Sequence, residues 1–97
     1  MSWMAQRNET FSKMNEQLTK LYEKVSVAGQ ECFRHESGMY FRLFEFPGSN
    51  ALCIEYAENY EEAQKNRFED GDLFYMDELS EDEMFNAMIK EIEDAYA

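Results

Sequence analysis

The sequence predicts an α+β domain: an antiparallel four-stranded sheet, a β-meander plus one further strand, packed by a long N-terminal helix and a C-terminal helix. Three observations predict it. Residues 39–57 (MYFRLFEFPGSNALCIEYA) alternate apolar and polar side chains on both sides of Pro47-Gly48-Ser49-Asn50, which is the period of a strand around the chemistry of a turn. Residues 3–28 repeat apolar side chains at heptad spacing, and residues 80–96 carry a capping signal followed by one apolar stripe.

In the first helix Met4, Phe11, Leu18 and Val25 recur every seven residues, and Met14, Leu21 and Ala28 fill the second apolar position of the same heptad. Arg7 interrupts the stripe, Trp3 stands at its end, and Gly29 supplies the stop. Such a stripe either lies across the chain's own sheet or forms a seam between two copies, giving a homodimer.

A short strand over 31–35 follows, then Glu36-Ser37-Gly38, a three-residue loop with glycine last. This loop sets Phe33 opposite Phe41 and Arg34 opposite Tyr40. If Phe46 faces Ala51 across the next turn, Arg42 falls opposite Glu55. Met39, Phe41, Leu43, Leu52, Ile54 and Tyr56 then share one face. A slip of one residue would scatter that set, so the register is well specified. The opposite face carries Cys32, Arg34, Tyr40, Arg42, Phe44, Cys53 and Glu55, two arginines among aromatics, and is the most site-like surface of the pattern.

Asn59 and Glu62 open a short helix to about Arg67. Glu69-Asp70-Gly71-Asp72 has turn chemistry, and residues 73–76 read as the fourth strand, its edge left open by the pattern. Ser80 and Glu83 form a capping box for the last helix, with Leu79 and Met84 at staple positions. Met84, Phe85, Met88, Ile89, Ile92 and Tyr96 make its stripe. The helices are all expected on one face of the sheet.

The 97 residues amount to one domain, 1–97, with fifteen aromatic side chains to fill a core. Apolar runs are too short to span a bilayer, and Arg7, Asn8, Glu9 and Lys13 interrupt any leader-like segment, so the expected location is cytoplasmic. Cys32 and Cys53 fall on strands separated by a third, beyond disulfide reach, and read as free thiols.

Charge gives the strongest functional signal. The net charge is −12, yet residues 1–54 balance six acidic against six basic side chains, while residues 55–97 carry fifteen against three. Such a surface repels nucleic acid and anionic membrane and attracts basic partners. No cofactor is implied. The single histidine, His35, sits beside a tight turn and is expected exposed. A metal site lacks its spacing: there is no CxxC, and Phe74 occupies the fifth position of a calcium loop begun at Asp70. With no phosphate loop and no nucleophile beside a base, the chain reads as non-enzymatic.

No family is recognisable from these residues. The layout is shared by many small folds, among them acidic secretion chaperones and toxin-immunity proteins, and layout alone assigns no function. The reading is an acidic interaction module, of inhibitor, immunity or chaperone type, that binds a basic protein. Glu69, Asp70, Asp72, Asp77 and Glu78 are its candidate contacts, with Arg34 and Arg42 on the mixed face. The competing class is a structural or oligomeric subunit using the apolar stripe. A small enzyme with a carboxylate or cysteine site ranks third, and a carboxyl of strongly raised pKa inside a cleft would be its sign.

Overall fold

In the computed structural model, which describes residues 2–95, the elements run α1 (Trp3–Leu21), β1 (Glu23–Val27), β2 (Gln30–Arg34), β3 (Tyr40–Glu45), β4 (Ala51–Ala57), α2 (Tyr60–Gln64), β5 (Glu69–Tyr75) and α3 (Glu81–Asp94). The strands form one antiparallel sheet in sequence order, β1-β2-β3-β4-β5. The class is α+β as the patterning predicts, but the sheet has five strands rather than four.

The additional strand comes out of the expected first helix. That helix stops at Leu21 instead of running to residue 28, and Tyr22 is already extended. Val25 and Val27 carry the period of a strand, and β-branched residues favour it. Ala28 (φ 52°) and Gly29 (φ 79°) then close a two-residue turn, in the left-handed conformations that a tight hairpin of type I′ requires. The heptad pattern therefore ends early. Met14 and Leu18 are fully buried and Thr10 nearly so, while Met4 and Leu21 are exposed.

The hairpin register is the one the sequence predicts. Arg42 pairs with Glu55, Leu43 with Ile54, Phe33 with Phe41 and Arg34 with Tyr40. Gly38 takes the positive φ of 96° that closes the three-residue loop. Residues 69–72, expected as a turn, instead lie in β5, which joins the β4 edge with an irregularity described below.

The main core lies between one face of the sheet and the two long helices. Phe33, Phe41, Leu52 and Ile54 from the sheet meet Met14 and Leu18 of α1 and Met84, Met88 and Ile92 of α3. The capping box of Ser80 and Glu83 opens α3 as expected, while Tyr96 lies outside the described residues. The helices are not all on one side. α2, shorter than expected, places Ala63 on the opposite face against Val27, Cys32, Tyr40 and Ala57. Among the described residues no helix is long and apolar enough to cross a membrane.

Arg7, out of place in an apolar stripe, fastens α1 to the β3–β4 turn. Its guanidinium donates to Glu45 Oε2 (3.0 Å) and to the carbonyl oxygens of Phe46 (2.6 Å) and Ser49 (2.9 Å). Replacing Arg7 by alanine leaves these acceptors without their donor and is expected to cost about 2 kcal/mol in urea unfolding. Ala28→Asn tests the first hairpin. Asparagine tolerates the left-handed conformation better than alanine, so a gain of about 0.5–1 kcal/mol is expected. A loss would instead fit a helix continuing through residue 28.

Candidate functional site

The site grows from a defect in the β4–β5 ladder. Cys53 pairs with Leu73 and Glu55 with Asp70, so Gly71 and Asp72 together oppose Ile54, a β-bulge. The bulge releases the Asp72 N–H from regular pairing, and the Glu91 carboxylate of α3 accepts it at 2.5 Å. Glu91 reaches the strand because it stands seven residues after Met84 and three after Met88, on the inward side of its helix. Gly71 is required by space. A Cβ there would lie 2.6 Å from Glu91 Oε1, 2.8 Å from the Ile54 carbonyl oxygen and 2.9 Å from Tyr56 Cε2.

Burial pushes the Glu91 carboxyl above the ordinary carboxylate range. The Asp72 N–H and the nearby Tyr56 hydroxyl favour its ionised form, and the Asp72 charge opposes it. Glu91 Oε2 and the Tyr56 hydroxyl are both shut off from solvent, each with the other as its polar neighbour. Burial likewise raises the Tyr56 hydroxyl, with the Glu91 charge adding to it. The Cys53 thiol, behind the bulge, is pushed up to about 12, by burial first and then by Asp70. It is protonated at neutral pH and a poor nucleophile.

Two cavities of about 510 Å³ each meet at Tyr56 and Ala95 and make a groove between β5 and the end of α3. Met39 and Phe68 give one an apolar wall, and Phe74 and Ala87 the other. Around them stand seven carboxylates, Glu58, Glu62, Glu69 and Asp70 on one cavity and Asp72, Glu91 and Asp94 on the other. Two cations answer them. Arg67 lies 3.9 Å from Glu62, and Lys90 pairs with Asp94 at 2.9 Å.

The expected contacts are only partly gathered here. Glu69 and Asp70 line the first cavity and Asp72 the second, whereas Asp77 and Glu78 are exposed in the β5–α3 connection and line neither. Arg42 pairs with Glu55, donates to Gln30 and covers the ring of Phe68 at 4.0 Å, so it backs the groove without entering it. Arg34 is elsewhere, bound to Glu23 at 2.7 Å. Glu58, Glu62, Glu91, Asp94 and Tyr56 were not among the contacts expected from the sequence, where Glu62 read as part of a helix cap and Tyr56 as part of the apolar face. For Glu91 a signal existed in its apolar-stripe position; the others depend on tertiary placement.

His35, expected exposed, is buried at 3% exposure. Its Nδ1 accepts the Ser37 N–H (3.1 Å), which places the proton of the neutral ring on Nε2, 3.0 Å from Glu93 Oε2. The Tyr22 hydroxyl donates to the same oxygen at 2.7 Å. Tyr22, then His35, hold the Glu93 carboxyl below its ordinary range. This cluster ties the end of α3 to the start of β1 and the β2–β3 loop. Among the described residues no group of His, Cys, Asp and Glu has the arrangement of a metal site. Comparison with protein-family models, curated proteins and solved structures gives no match, so the functional reading rests on this chain's own chemistry.

Glu91 makes a signed prediction. Its folded-state pKa is raised, so the fold favours the protonated carboxyl. The stability this gives is present below the unfolded pKa and lost as pH rises through the folded one. Glu91→Gln keeps an acceptor for Asp72 and removes the charge. It is expected to be more stable than wild type in urea at neutral pH, the difference closing as pH falls to about 4. Gly71→Ala is expected to destabilise by about 1–3 kcal/mol, since the Ile54 carbonyl is backbone and cannot step aside.

Proposed function

We propose that this chain is a non-enzymatic acidic interaction module that binds a basic protein, as an inhibitor, immunity-type or chaperone-type partner, through the groove between β5 and α3. The observation that carries the reading is the groove's composition: seven carboxylates around apolar walls, against two cations already engaged with carboxylates of their own. A cleft lined by one sign of charge focuses its field, raises association rates with an oppositely charged partner and turns away nucleic acid and anionic membrane. Apolar walls formed by Met39, Phe68 and Phe74 supply the desolvated contacts that hold a partner once it arrives.

Catalysis is less well supported. The Glu91 carboxyl is raised and lines the groove, but the thiol near it is protonated and His35 lines a separate cavity. Two buried free thiols suit a reducing compartment such as the cytoplasm. The competing reading, a homodimer through α1, has less to draw on, because Met14 and Leu18 are spent inside the chain and Val25 belongs to β1.

Affinity capture from the native cell extract at low and high salt tests the proposal. A basic protein is expected that elutes with salt. It should be lost when Glu69, Asp70 and Asp72 are changed to their amides and kept when only Asp77 and Glu78 are. Capture indifferent to salt and to the first set of changes would overturn the groove as the binding face.

A further inference from the structure

The two edges of the sheet are unlike. β5 carries Glu69, Asp70, Asp72 and a bulge, devices that keep a strand from pairing with other chains. β1 has neither bulge nor proline, and its charges are answered within the chain, Glu23 by Arg34 at 2.7 Å and Lys24 by Glu31 at 3.0 Å. The Ala28–Gly29 turn makes Val27 and Gln30 a hydrogen-bonded pair, so by alternation Val25 and Glu23 also bond to β2. The N–H and C=O groups of Lys24 and Ser26 therefore point out of the sheet. Both residues are exposed, and no other strand among the described residues takes these groups.

We propose that β1 pairs with β1 of a second copy of this chain, antiparallel about a two-fold axis through Val25. Three such registers pair outward groups with outward groups. Lys24 opposite Lys24 of the second copy forms two bonds and sets like charges face to face. Ser26 opposite Ser26 also forms two and leaves each Lys24 against Ala28 of the other copy. Lys24 opposite Ser26 satisfies all four outward groups of each copy. It also sets Val25 opposite Val25 as a pair without mutual hydrogen bonds, where side chains approach most closely. Val25 is half-buried at the margin of the smaller core, so the pairing joins the smaller cores of the two copies. The Ala28–Gly29 turn of each copy comes beside the end of the other's α1, where Leu21 stands 59% exposed.

Charge favours this edge over any other face. β1 belongs to residues 1–54, which are neutral in sum, and lies across the sheet from β5. Pairing there joins two five-stranded sheets into one and keeps the two β5 edges about 40 Å apart, several Debye lengths at physiological salt. The acidic grooves stay open at the two ends, and the two-fold arrangement closes at two copies.

Position 26 tests the register and leaves the fold in place, because Ser26 is exposed and faces Glu31 in its own chain. Sedimentation equilibrium of the full chain over about 5–500 μM, at about 0.15 M salt, is expected to show dimer in the upper part of that range, since two five-residue strands make a small interface. Ser26→Lys sets a lysine opposite Lys24 at two equivalent places and should weaken the dimer about tenfold. Ser26→Glu sets a glutamate there and should tighten it about threefold. Amide exchange gives a second readout. Raising the concentration should slow exchange at Lys24 and Ser26 and leave Val25 and Val27, already bonded to β2, unchanged. A chain that stays monomeric throughout overturns the proposal and leaves the edge to an extended segment of another protein. A dimer whose Lys24 and Ser26 amides exchange as in the monomer, or which Ser26→Lys leaves intact, overturns β1 as the interface. A dimer weakened equally by both substitutions overturns the register through Val25.

Discussion

Burial of β4 on both faces is the constraint from which the rest of this structure follows. Ala51, Leu52, Cys53, Ile54 and Ala57 are all fully removed from solvent. Leu52 and Ile54 point into the main core, where burying each contributes roughly 1.5–3 kcal/mol. Ala57 points the other way, into the smaller cluster around Ala63. A strand buried on both faces must also pair on both edges, because an unpaired backbone group away from water costs as much as a lost hydrogen bond. β3 satisfies one edge and β5 the other. Small side chains such as Ala57 let α2 close down on the sheet, which is how a helix of five residues with little apolar surface of its own is held in place.

The hairpin was legible because its alternation admits one register only. Arg42 against Glu55 and Leu43 against Ile54 follow once Phe46 meets Ala51, and the Phe46 N–H does donate to the Ala51 carbonyl at 3.0 Å. β1 was illegible for an equally physical reason. A residue that sits seven places after Leu18 extends a heptad, and Val25 happens to do so while also alternating with Val27. Two valines are too few to separate a period of 2 from one of 3.5. The left-handed Ala28 gave no warning either, since alanine is not the residue such a turn usually takes. His35 was misplaced because turn-flanking polar residues are normally exposed. Its burial depends on Glu93 and Tyr22, 58 residues later and 13 earlier in the chain.

For the candidate site, acidic composition was visible and geometry was not. From the sequence Glu69 to Asp72 looked like a turn, because Asp and Gly are turn residues. In the structure the same residues are an edge strand whose glycine answers a need for space rather than for conformation. Charged side chains and a bulge on an edge strand are also what keeps such an edge from pairing with other chains. Edge protection accounts for acidic side chains along β5. It does not account for Glu58 and Glu62, which precede the strand, or for Glu91 and Asp94, which belong to α3 and turn toward the same groove. The convergence of carboxylates from three segments distinguishes the groove from a charged edge.

Bulge, glycine and carboxylate act as one unit. Without the bulge the Asp72 N–H has no reason to leave the ladder, and without Gly71 the α3 carboxylate has no room to meet it. Without Glu91 the freed N–H would turn to water and no longer tie β5 to α3. A methionine or leucine at residue 91 would continue the Met84–Met88 stripe and bury more hydrocarbon, but it could not accept that N–H. The carboxylate instead carries a desolvation cost, offset in part by the Asp72 N–H and the Tyr56 hydroxyl. A glutamine would satisfy the N–H at lower cost, so fastening the helix to the strand does not by itself explain the charge.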